Sequence, residues 1–99
     1  MPTGNLYPGL PGLKILSGSY NTGALAPQTD KYTTVALPSG CGNGLVLGGV
    51  VDTITNGGAV NFETDGTASA NTLGLTVTNT NASTATIVVT YHAFILPGL

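Results

Sequence analysis

One cysteine, one histidine, two lysines and four carboxylates are, with four tyrosines, the side chains this 99-residue chain offers for proton transfer or metal binding. Cys41 as nucleophile, His92 as base and Asp52 as orienting acid can be assembled on paper, but scarcity dictates that grouping and no local motif selects it. Nucleophilic catalysis needs its groups converging on a pocket, and nothing in the pattern signals one. No enzymatic role is expected. Glu63 and Asp65, at i and i+2, share one face of a strand, with Asp52 the nearest other acid. A calcium loop gathers several oxygens from a dense acidic segment, and Thr64-Asp65-Gly66-Thr67 does not supply them. Those carboxylates read as solvated charges beside a turn, and neither metal nor cofactor is expected.

Other motifs dissolve on inspection. Gly40-Cys41-Gly42-Asn43-Gly44 has the glycines of a phosphate loop, but no helix follows and no lysine is placed to reach a phosphate, so turn geometry accounts for it. Asn81-Ala82-Ser83 matches a glycosylation sequon, yet no basic segment followed by an apolar stretch marks a secretory signal, so the match reads as chance. A single cysteine excludes an intrachain disulfide; Cys41 reads as a small residue of a glycine-rich loop, with a staple between subunits as the alternative. His92 reads as a packed or interface histidine.

Helical periodicity is nearly absent. Short runs of alternating or apolar residues, separated by glycine- and asparagine-rich turns, predict strands at Lys14–Tyr20, Tyr32–Leu37, Leu45–Thr55, Val60–Thr64, Thr72–Thr78 and Thr84–Leu96. Gly48-Gly49 predicts a bulge or a sharp bend within its strand, and Asn56-Gly57-Gly58 a hairpin. The fold class is all-β, an antiparallel β-sandwich over residues 14–99, preceded by an extended arm over residues 1–13. Pro2, Pro8 and Pro11 remove backbone donors from the arm, while Leu6, Tyr7, Leu10 and Leu13 give it an apolar side. Disordered tails are usually charged or serine-rich, so this one reads as docked on another surface in preference to a frayed end.

The last strand is apolar on both faces: Ile87, Val89, Tyr91, Ala93 and Ile95 on one, Val88, Thr90, His92, Phe94 and Leu96 on the other. A sheet with one face in water shows polar residues there. The second face is therefore expected against a neighbour, with Val88, Phe94 and Leu96 in self-association. Composition agrees, since charged residues are 6% of the chain at a net charge of −2. Small domains rely on interspersed charges to stay dispersed, so a homo-oligomer or larger assembly is expected. Two lysines make no phosphate-binding patch, which excludes nucleic acid as a partner. No apolar run approaches the ~18 residues of a membrane helix, so no membrane partner is expected and synthesis is expected in a cytoplasm.

The order of Leu16-Ser17-Gly18-Ser19-Tyr20, the Leu45–Ile54 strand, Leu73-Gly74-Leu75-Thr76-Val77-Thr78-Asn79 and the closing Ile87–Phe94 strand resembles small virion proteins of tailed bacteriophages. Two groups share that layout: trimeric capsid decoration, or cement, proteins, and the lectin-like sandwich of fibre tips and H-type lectins. The short apolar arm leans toward the first. The resemblance implies location in the virion, the major capsid protein or other virion subunits as partner, three copies per oligomer, and anchoring to the shell by Leu6, Tyr7, Leu10 and Leu13. The fibre-tip alternative implies binding of a host surface glycan.

Overall fold

The computed structural model describes residues 12–66 and 70–98. It contains six strands: β1 (Lys14–Leu25), β2 (Asp30–Ala36), β3 (Leu45–Ile54), β4 (Ala59–Gly66), β5 (Asn71–Thr78) and β6 (Ala85–Leu96). They form two antiparallel three-stranded sheets, β1-β6-β3 and β2-β5-β4, packed as a sandwich. The central strands β5 and β6 supply most of the core. Leu73, Leu75 and Val77 face Ile87, Val89, Tyr91, Ala93 and Ile95, all buried. Strict alternation makes this work, because every second side chain on each central strand points between the sheets. Each fully buried leucine or isoleucine contributes roughly 1.5–3 kcal/mol by leaving water. Phe62 and Tyr91 cross the gap as a tilted aromatic pair, with ring centroids 5.9 Å apart.

Of the bulge or bend expected at Gly48-Gly49, a bulge is present one residue earlier: the register shifts between Val46 and Gly48, leaving Leu47 as the extra residue against β6. A second shift lies between Val51 and Thr53. β1 runs five residues past the expected Tyr20, because its pairing with β6 slips between Asn21 and Ala24 and then resumes. Asn56-Gly57-Gly58 does turn the chain, with positive φ at all three residues. It does not close a hairpin, however: β3 and β4 belong to different sheets, so the turn carries the chain across the sandwich. The local signal for positive φ is identical in both cases, and it does not encode which sheet receives the next strand. A Cβ on Gly58 would lie 2.7 Å from the Thr78 carbonyl oxygen, so the crossing also requires a residue without a side chain there.

One end of the sandwich is tied by asparagines. Asn79, fully buried, donates through Nδ2 to the carbonyls of Leu25 (2.8 Å), Ser83 (3.1 Å) and Ala26 (3.3 Å). Its Oδ1 accepts from the Asn81 backbone N–H and from Asn81 Nδ2. Its backbone joins the β1–β2 loop, donating to Thr29 O and accepting from Gln28 N–H. Two connections, β1–β2 and β5–β6, are thereby held by one side chain. The opposite end is closed by Cys41, which is fully buried and whose carbonyl accepts from Gly98 N–H at 2.7 Å. A disulfide from Cys41 to another subunit is thus closed off in the folded chain.

Candidate interaction surface

The two outer faces of the sandwich differ in kind. On the β2-β5-β4 sheet the cross-strand rows are Tyr32, Thr76 and Asn61; Thr34, Gly74 and Glu63; and Ala36, Thr72 and Asp65. This face is polar and acidic. Tyr32 lies across Gly74, where a Cβ would come within 2.6 Å of its hydroxyl oxygen, and donates a hydrogen bond to Asp65 Oδ2. That bond, partial desolvation and the charges of Asp65 and Glu63 push the Tyr32 phenol up to about 12. A folded-state value above the unfolded one means the contribution to stability is complete below about pH 10 and is lost as pH rises toward 12. Titration followed by phenolate absorbance should show Tyr32 ionising late, and Asp65→Asn should move that ionisation down toward 10. An unchanged curve in the variant would show that the carboxylate does not hold the phenol proton.

On the β1-β6-β3 sheet the outer face divides along its length. Leu45 pairs with Leu96, Ile15 and Gly48 flank Phe94, and Ser17 and Val50 flank His92. Leu47 stands out of the bulge, and Leu13 precedes β1 at the same end. Ile15 and Leu47 are each 59% exposed, so the described residues leave most of both side chains in water. Beyond His92 the face turns polar: Ser19, Thr90 and Thr53 form one row, with Thr53 and Thr90 hydroxyls bonded to each other, and Asn21 and Thr55 flank Val88. Six of the eight large apolar residues that stay exposed among the described residues, namely Leu13, Ile15, Leu45, Leu47, Val50 and Leu96, gather in the apolar half.

No family model, curated protein or solved structure matches the chain. The geometry therefore carries the functional reading. Phe94 and Leu96 fall together in the apolar half, as the self-association expectation requires of them. Val88 does not join them: six residues away along β6, roughly 20 Å at strand rise, it sits among hydroxyls and amides. Leu13 stands at the apolar end and is 53% exposed, whereas Leu6, Tyr7 and Leu10 lie outside the described residues. Sequence reasoning missed Ile15, Leu45, Leu47 and Val50. Leu45, Leu47 and Val50 lie on β3, where bulges break the alternation, and Ile15 lies at the start of β1, whose face depends on a pairing partner that spacing does not name.

The groups singled out for chemistry are dispersed. Cys41 is inside the core, while His92 points outward, sharing a 2.6 Å hydrogen bond between Nδ1 and Ser17 Oγ. A serine–histidine pair acts as a nucleophile only when a third group orients the ring and donors await an oxyanion. Val50, on the other side of His92, offers neither. Glu63 and Asp65 share the outer face of their sheet as expected, and among the described residues no cluster of three metal-ligating side chains forms. An open cleft of about 540 Å³ lies at the asparagine end, lined by Asn56, Asn81, Ser83, Thr84, Ala85 and Thr86. Its amides are committed within the fold, Asn56 Nδ2 to Thr86 O and Asn81 Nδ2 to Asn56 O and Asn79 Oδ1. It presents no aromatic ring for a sugar to stack on.

Proposed function

We propose that the protein is a structural subunit of a virion, in its most specific form a capsid decoration (cement) protein that associates with itself and braces the shell by bridging capsomers. The observation that carries the reading is the asymmetry of the sandwich, polar and acidic on one outer face and apolar over half of the other. A face of that kind gains free energy when a neighbouring subunit or shell surface covers it. The chain supplies few charges to keep it dispersed. In this role the work is mechanical. Apolar burial across subunit boundaries, with Phe94 and Leu96 on the covered face and Leu6, Tyr7, Leu10 and Leu13 reaching the major capsid protein, resists separation of capsomers.

The glycan-binding alternative has the cleft at the asparagine end as its natural location, and the internal commitment of the amides there argues against it. Attachment is the deciding experiment. Shells lacking the protein, mixed with the purified full chain, should acquire regular added density in electron micrographs and withstand higher temperature. Deletion of Met1–Leu13 should abolish attachment while a folded oligomer remains. Failure of the full chain to bind shells, with a specific and competable signal on a glycan array, would replace this reading with the fibre-tip one.

A further inference from the structure

Every charged side chain in the sequence lies on an edge strand: Lys14 on β1, Asp30 and Lys31 on β2, Asp52 on β3, Glu63 and Asp65 on β4. The central strands β5 and β6 carry none. Edge strands expose unpaired backbone donors and acceptors, and charges or bulges on them discourage pairing with another chain. β2 and β4 are guarded by two charges each. β3 has Asp52 and two register shifts, and its Val46 N–H is taken by Thr64 Oγ1 of β4 at 2.7 Å. β1 is different. From Lys14 to Asn21 it pairs with β6 in unbroken register, contains no proline, and carries no charge after Lys14.

We propose that β1 is the joint between two copies of this chain, pairing with β1 of a second copy in antiparallel fashion about a two-fold axis. The partner is another β1 because the remaining edges are charged or bulged, and a two-fold contact makes one surface complementary to itself. Pairing must match faces, since a slip of one residue would set inner side chains against outer ones. An axis at Gly18 satisfies that condition. It sets Leu16 of each copy beside Tyr20 of the other, on the core side where both are only partly buried, and Ser17 beside Ser19 on the outer side. The joint is two-fold, in contrast to the three copies implied by the resemblance. It rests on the assembly reading above and names how the copies meet.

Ser19 is exposed and its side chain makes no core contact, so its substitution tests the joint without disturbing the fold. Across such an axis the two residues at position 19 are diagonal neighbours, about 7–8 Å apart. Ser19→Lys and Ser19→Glu, each alone, should weaken self-association of the full chain at least tenfold in sedimentation at low salt, with circular dichroism unchanged. An equimolar mixture of the two should restore it, and Ser19→Asn should behave as the parent. Hydrogen exchange should show alternate amides between Lys14 and Asn21 protected at high protein concentration and released on dilution. If both charged variants associate as the parent does while Leu47→Asp is monomeric, the edge is not the joint and the assembly reading stands. If the parent chain itself remains a monomer at high concentration, both fall.

Discussion

Asn79→Ala should lower stability by about 3–5 kcal/mol, a substantial part of the 5–15 kcal/mol typical of a single domain. The loss does not come from one hydrogen bond. Removing the amide leaves the Leu25 carbonyl without its partner in a buried place, and the Ser83 carbonyl and the Asn81 N–H without theirs in part-buried ones. Each orphaned buried group costs about 1–3 kcal/mol. Asn79→Asp, nearly identical in shape, should be at least as damaging, because a carboxylate oxygen replaces the donor and faces carbonyl oxygens. Urea unfolding would show both variants with a much lower midpoint, and thermal unfolding a drop of roughly 15–30 °C for a domain of this size. Thr80→Ala, whose side chain is exposed in the same loop, is the control and should change little. A small effect for Asn79→Ala would mean that water reaches the vacated site and satisfies those groups.

Asn79 also marks where sequence reasoning runs out. In the sequence it is the first residue of an Asn-Thr-Asn-Ala-Ser turn, and turn chemistry explains its type completely. Its partners at Leu25 and Ala26 are more than fifty residues away, so nothing local reveals that it also joins the β1–β2 loop. The Thr72–Thr78 alternation, by contrast, was fully readable: Leu73, Leu75 and Val77 face inward because strand geometry leaves no other choice. The two-sided character of the last strand was equally legible, and the structure explains it, since β6 is central in its sheet. Its outer face is apolar only where Ile15, Leu45, Leu47 and Val50 of the flanking strands extend it. That neighbourhood depends on strand order, which spacing does not reveal. The same ignorance turned the Asn56–Gly58 crossing into an expected hairpin, and placed Val88 in an apolar company it does not keep.

Leu47→Asp and Ile15→Asp, singly and together, should break the association made through the apolar outer face while leaving the sandwich and the β1 joint intact. Both side chains are more than half exposed in the isolated chain, so a carboxylate at either position stays in water and stability should change by no more than ~0.5 kcal/mol. In the assembled state the same carboxylate would be forced against apolar surface, and an unpaired buried charge costs several kcal/mol. The lost burial of a leucine or isoleucine adds roughly 1.5–3 kcal/mol. Together these predict at least a hundredfold weaker association through this face for each single change, and for the pair no species larger than the β1-paired dimer at any accessible concentration. Position within the face supplies the control. Val88→Asp, on the same strand face but in its polar half between Asn21 and Thr55, should weaken association far less than Leu47→Asp. Thr34→Asp, on the polar face of the other sheet, should have no effect. Sedimentation equilibrium across a concentration series reads all five variants. Equal losses at Val88 and Leu47 would mean that the whole outer face is covered, and an unaltered oligomer in the double variant would remove the apolar half from the interface altogether.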